Sequence, residues 1–168
     1  MKDIFIDADI TNKFSKTTDK DLIELIEWLL NKENKSFLLV SDYLRNEYLK
    51  GNAHCVKEFS ISTIYFKLQQ DGRLNAKTKK EIEDFKQKHF SKTIWKNLNC
   101  LKQKKGKNRT SDPNHIALIY LSDRRFALTE DENLFKDLNE LKFKREDGKK
   151  VTVAKSPTDI NYKTSEAD

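Results

Sequence analysis

Four short runs of nearly continuous apolar residues punctuate the chain: IFIDA at 4–8, SFLLV at 36–40, RFALT at 125–129 and VTVA at 151–154. Runs this short and this apolar read as strands buried on both faces, as in a parallel sheet. Between them, apolar positions recur at helical spacing. DKDLIELIEWLLNKE places Leu22, Leu25, Ile26 and Leu29 on one face, with Thr18 as the expected N-cap. SDYLRNEYLKG starts at a serine cap and stops at Gly51, a residue suited to ending a helix. SDPNHIALIYLSD carries Pro113 in its first turn. Its stretch from Ile116 to Leu121 is apolar on all sides, which predicts a central, buried helix. DENLFKDLNEL aligns Leu134, Phe135, Leu138 and Leu141.

The pattern is weakest over residues 53–98. TKKEIEDFKQKHF has helical spacing, whereas FSISTIYFKL is rich in β-branched and aromatic residues and is read as helix by a small margin. REDGKK carries an Asp-Gly turn signal and predicts a hairpin leading into the last strand. Alternating strands and helices imply an α/β domain with right-handed crossovers. One domain is expected over 1–163, with 53–110 as a helical and basic-loop elaboration and 164–168 as a flexible tail.

Composition narrows the class. The 168 residues are 36% apolar and 36% charged, and a domain near this size buries about 70% of its unfolded surface. Lys and Arg total 33 against 27 Asp and Glu, a net +6 that points modestly to an anionic partner. Cys55 and Cys100 form no CxxC pair, and two separated cysteines make no disulfide framework. A reducing, cytoplasmic location is expected. No apolar run approaches the ~18 residues of a membrane helix.

The acids change the picture most. Asp7 ends the first strand, Asp131 follows Thr129 at the end of the third, and Asp112 opens the buried helix. Glu47 falls inside the stripe of Tyr43, Leu44 and Tyr48. In open parallel sheets the carboxyl ends of the strands and the helix N-termini meet at one edge, where ligands bind. Each acid has an ordinary alternative: Asp9, Asp112 and Asp131 as helix caps, Glu47 as a locally paired or snorkelling carboxylate. Convergence of all four makes those alternatives jointly weaker. Two unit charges about 4 Å apart repel by about 4 kcal/mol at an effective dielectric of about 20. Such a cluster needs protons or cations, and oxygen ligands select hard cations, Mg²⁺ or Mn²⁺. A metal-bound water can attack phosphorus while metal stabilises the leaving oxygen, which is phosphodiester hydrolysis.

FIDADI, SDYLRNEYL, SDPNHIALIYL and ALTEDENLF resemble, in order, the four acidic motifs of the PIN-domain nucleases, including toxin ribonucleases of VapC type. Asp7 matches the acid that ends a buried strand, Glu47 the helical acid after strand two, and Asp112 the acid before an Ile-Ala run. Thr129, Asp131, Leu134 and Phe135 match the fourth motif, and VTVAKSPTDI resembles the family's last strand and exit. The likeness spans nearly the whole chain. It departs at Asp9, where a small polar residue is usual, and in the 64 residues between Glu47 and Asp112. The resemblance implies a three-layer α/β/α sandwich with a central, mainly parallel sheet. It also implies Mg²⁺- or Mn²⁺-dependent cleavage of RNA, an antitoxin partner for many members, and homodimers. Asp7, Glu47, Asp112 and Asp131 would hold metal, directly or through water, with Asp9 an additional candidate. Thr129 would hydrogen-bond a carboxylate or the attacking water.

Lys102, Lys104, Lys105, Lys107 and Arg109 lead directly into Asp112, and Gly106 lets them flex. That placement suits contact with flanking phosphates of single-stranded or looped RNA. His115 lies one turn after Asp112 and is a candidate substrate contact, although a lone helical histidine is more often structural. The expectation is a metal-dependent endoribonuclease, with a toxin as one form. The alternatives are a nuclease for DNA or structured nucleic acid, and a PIN-like module that binds without cutting. Asp7-x-Asp9-x-Thr11 also fits, less well, a phosphohydrolase with an aspartyl nucleophile.

Overall fold

The computed structural model describes residues 2–50, 59–101, 112–141 and 150–164, with the side chains of Cys100 and Asp112 outside that description. The four apolar runs form β1 (Lys2–Ile6), β2 (Ser36–Ser41), β4 (Phe126–Leu128) and β5 (Thr152–Ala154). A fifth strand, β3 (Leu74–Lys77), has no counterpart among those runs. The sheet order is β3-β2-β1-β4-β5, and every neighbouring pair is parallel. Register is set by pairs such as Ile4 with Leu38 and Ile6 with Leu128.

The helices are α1 (Ala8–Thr11), α2 (Lys20–Leu30), α3 (Asp42–Lys50), α4 (Ile61–Gln70), α5 (Lys79–His89), α6 (Lys92–Asn97), α7 (Asp112–Leu121) and α8 (Glu132–Glu140). Right-handed crossovers from β1 to β2 to β3 put α1–α4 on one face. The return to β4 and on to β5 puts α5–α8 on the other. The contacts agree: α2 and α3 pack on α4, while α7 packs on α5 and α8. The architecture is α/β and is compatible with a three-layer α/β/α sandwich.

The strands are as apolar as double burial demands. Ile4, Phe5, Ile6, Leu38, Leu39, Ala127 and Leu128 have no exposed surface. Burying each large aliphatic side chain contributes about 1.5–3 kcal/mol. Helix α7 is buried from Pro113 to Tyr120, as its all-round apolar sequence predicts.

Two local expectations are corrected. The N-cap of α2 is Asp19, not Thr18: its extended backbone lets the carboxylate accept from the Asp21 N–H, and its charge suits the positive helix end. The stretch 53–110, expected to be helical and basic loop, contributes an edge strand. Gly72, at φ +65°, ends α4 in a left-handed turn. Its N–H donates to Gln69 O and the Arg73 N–H to Leu68 O, closing a Schellman motif that releases an extended chain. The capping box of Thr78 and Glu81 then starts α5, leaving four residues for β3 between the two signals. The hairpin expected at REDGKK lies outside the described residues, as do 165–168 of the expected tail.

At the amino ends of the strands, polar groups are buried with partners. The Arg73 guanidinium donates to the carbonyls of Leu29 (2.6 Å), Leu30 (2.9 Å) and Asn31 (3.2 Å), closing the C-terminus of α2. Asp3 accepts from Asn75 (2.5 Å) and Ser122 (2.8 Å). Arg124 donates to Tyr162 O (2.6 Å) and Thr164 O (2.5 Å) and stacks 3.9 Å from the centroid of the Phe126 ring.

Candidate metal centre

The chain reverses its direction across the sheet between β1 and β4. β1 leads outward to β2, whereas β4 is reached by return from the far edge at β3. The crevice beyond the carboxyl ends of these two strands is the topological switch point, where open α/β sheets bind ligands. Asp7 and Thr129 occupy it. The Asp7 N–H donates to Leu128 O (2.9 Å) and the Thr129 N–H to Ala154 O (3.0 Å), so the ladder carries both residues to the sheet's edge.

Asp7 precedes α1, but its side chain makes no capping bond to that helix. Its Oδ2 accepts instead from the Thr129 hydroxyl at 2.5 Å. The same hydroxyl accepts from the Asp131 N–H at 3.1 Å, which fixes the direction of its proton. Thr129 is fully buried and Asp7 is 8% exposed. Asp131 is partly exposed. It caps α8, its Oδ1 accepting from Asn133 N (2.8 Å) and Leu134 N (3.0 Å).

Helix α3 enters the same edge from β2. Tyr48, fully buried, donates its hydroxyl to Ile6 O and so ties α3 to the last residue of β1. Glu47, partly buried, is brought beside Asp7 by that anchor. From the opposite face, α7 supplies His115, only 2% exposed, with its ring tilted against Phe5 at a centroid distance of 5.4 Å. His115 Nε2 lies 3.6 Å from Glu47 Oε2. One ligand atom from each of Asp7, Glu47 and His115 lies within 4.8 Å of the other two.

Comparison of the chain with protein-family models, curated proteins and solved structures finds no match. The chemistry open to the site therefore follows from its geometry.

Asp7 and Glu47 carry negative charge into a largely enclosed edge, and among the described residues no lysine or arginine forms an ion pair with either. Tyr48 registers that field. Burial pushes its phenol well above its ordinary value, and the charges of Asp7 and Glu47 push it further. His115 Nε2 is buried with no hydrogen-bond partner. Two carboxylates and a buried, unsatisfied imidazole nitrogen form a donor set that fits a divalent cation.

The other candidates fall differently. Asp112 is the first residue of α7, one turn before His115, and its side chain lies outside the described residues. So do Lys102, Lys104, Lys105, Lys107 and Arg109. Asp9 is exposed in the first turn of α1 and is not among the three clustered donors. Thr11 is buried, with its hydroxyl donating to Ala8 O at 3.1 Å, so Asp7-x-Asp9-x-Thr11 does not present three side chains to one point. His115, a candidate substrate contact more readily read as structural, is buried beside the acids.

Sequence reasoning missed Tyr48 as an anchor, and it missed a polar bridge beside the site. Tyr43 of α3 reaches Glu83 of α5 (3.5 Å), and Lys86 joins Glu83 (2.8 Å) to Asn114 of α7 (2.6 Å). The half-buried Tyr43 and Asn114 on the apolar helix α7 were the available signals. No helix among the described residues is long and apolar enough to cross a membrane.

Proposed function

We propose that this chain is a divalent-metal-dependent nuclease of PIN type that hydrolyses RNA phosphodiester bonds. The observation that carries the reading is the gathering of Asp7 and Glu47, from different elements, at the switch point of an all-parallel sheet, where among the described residues no lysine or arginine forms an ion pair with either. The ordered acidic motifs, the parallel sheet and the net charge of +6 support the same reading.

Asp7 and Glu47 would hold the metal directly, with Asp112 and Asp131 completing the site directly or through water. When bound, Mg²⁺ or Mn²⁺ supplies an acidified water as nucleophile and neutralises charge on the phosphate. The chain's own residues set the geometry. The Thr129 hydroxyl, oriented by the Asp131 N–H, holds one Asp7 oxygen and so fixes the carboxylate at the sheet's edge. Tyr48 keeps Glu47 at its distance from β1. The N-terminus of α8 directs positive dipole towards the same edge, where a phosphate would approach.

The test is incubation of labelled RNA and DNA with Mn²⁺, with and without chelator, using native protein and Asp7→Asn. RNA is expected to be cut, chelator to stop cutting, and Asp7→Asn to lower the rate about 1,000-fold, equivalent to about 4 kcal/mol of barrier. Preferential cutting of DNA would move the substrate class, and equal cutting by both proteins would contradict the assignment.

A further inference from the structure

We propose that His115 Nε2 is a direct ligand of the metal, which makes this a one-nitrogen, two-carboxylate site selective for Mn²⁺ over Mg²⁺. The proposal deepens the metal-site reading given above and rests on it.

The imidazole is placed with little freedom. Helix α7 is buried on all sides, His115 is 2% exposed, and Phe5 lies against its ring. Its Nε2 is nevertheless left without a hydrogen-bond partner. Among the described residues the carboxylate oxygen in ion-pair range, Glu47 Oε2 at 3.6 Å, is too far to accept a hydrogen bond. Other buried atoms of the chain also lack a partner, but among them His115 Nε2 alone belongs to the described cluster with Asp7 and Glu47, where a shared cation would satisfy it.

The spacing also favours coordination over an ion pair. An imidazolium paired with Glu47 would be expected at about 2.7–2.9 Å. Donors sharing one metal at bond lengths of about 2.0–2.2 Å lie about 3–4.4 Å apart. The 3.6 Å separation falls within that window. The group's outer limit of 4.8 Å exceeds it by a few tenths of an ångström, which the partly exposed Glu47 side chain can close.

The donor set then bears on the choice of ion. Mg²⁺ is hard, prefers oxygen and keeps its waters. Imidazole nitrogen suits first-row transition ions and not Mg²⁺, so one imidazole beside two carboxylates favours Mn²⁺ over Mg²⁺. Oxygen donors read from sequence alone leave Mg²⁺ and Mn²⁺ undistinguished, and His115 separates them.

The experiment loads the full chain with Mn²⁺ alone and records electron spin-echo envelope modulation, with and without ¹⁵N-labelled histidine. Binding of Mn²⁺ and of Mg²⁺ is measured in parallel by calorimetry. The expected result is coupling to a single imidazole nitrogen that disappears in His115→Gln and persists in His89→Gln, whose ring lies on Phe85 of α5. Mn²⁺ affinity should fall about 10-fold or more in His115→Gln, with Mg²⁺ affinity changing far less. Bound Mn²⁺ without nitrogen coupling overturns the proposal, and that spectrum of the native protein decides even if His115→Gln does not fold. Equal loss of both ions in a folded His115→Gln also overturns it. Failure of Mn²⁺ to bind sinks both this proposal and the metal-dependent reading it rests on. Nitrogen coupling in a protein that cuts neither RNA nor DNA would leave the ligand assignment standing and remove the nuclease reading. Metal-dependent cutting without nitrogen coupling would do the reverse.

Discussion

The two ends of one sheet bury polar groups to opposite effect. At the amino ends, Arg73 closes the carbonyls of α2, Asp3 holds Asn75 and Ser122, and Arg124 holds the carbonyls of the C-terminal segment. Each of these charged groups meets groups of opposite polarity within the chain, although Asp3 Oδ1, Arg73 Nε, and Arg124 Nε and Nη1 are buried without a hydrogen-bond partner. At the carboxyl ends, Asp7 and Glu47 come together with a neighbouring imidazole and no paired lysine or arginine among the described residues. Charged groups that bond to carbonyls and side chains of the same chain hold the fold together. At the other end the surplus is of negative charge, which under the proposed function a cation from outside would neutralise.

The contrast predicts opposite responses to mutation. Arg73→Ala leaves three backbone carbonyls without their donor, and unsatisfied buried groups cost about 1–3 kcal/mol each. A total loss of about 3 kcal/mol is expected, allowing for water entering the gap, or roughly 6–12 °C in Tm for a chain of this size. Thermal melting checks it. Asp7→Asn should do the reverse in metal-free protein. It removes one of two crowded charges while its amide oxygen can still accept from Thr129. We expect a stability gain on the order of 1 kcal/mol in urea titration, reduced from the Coulomb figure because Glu47 is partly exposed. A loss comparable to that of Arg73→Ala would erase the distinction between the two ends.

A smaller effect separates the ends by pH. Tyr48 has its pKa raised by burial first and by Asp7 and Glu47 next. A raised folded-state value means that the folded chain holds the proton more tightly. Its stabilising contribution is intact below the ordinary tyrosine value near 10 and falls away as pH rises above it. Tyr162, raised by burial to about 12, acts in the same direction from the C-terminal segment. Urea titrations at pH 8 and pH 11 should show the native chain losing stability over this interval, and Tyr48→Phe losing less.

Much of this was legible in the residues. Asp7, Thr129 and Asp131 stand out because strand runs end at them, and strand ends in a parallel sheet share an edge. Glu47 stands out because a carboxylate inside an apolar stripe needs a reason. β3 was not legible: LNAK has neither apolar continuity nor β-branched residues, since an edge strand needs little of either. Its boundaries are set by the turn at Gly72 and the cap at Thr78, which are helix signals. The part played by His115 was hidden for another reason. Sequence places a histidine on a helix, but only the packing of its ring against Phe5, beside Glu47, leaves its Nε2 buried and unpartnered. The cap at Asp19 rather than Thr18 was a choice between adjacent residues of similar capping strength, decided by where the backbone first turns helical.

The most direct test of the whole account is the melting temperature of native chain and Asp7→Asn as Mn²⁺ is added. At about 100 times its dissociation constant, a ligand held only by the folded state stabilises by about 2.7 kcal/mol. The native Tm should therefore rise by about 5–11 °C, reversibly with chelator, while Asp7→Asn stays nearly flat. An equal rise in both proteins, or none in either, would contradict a metal centre at the carboxyl edge of this sheet.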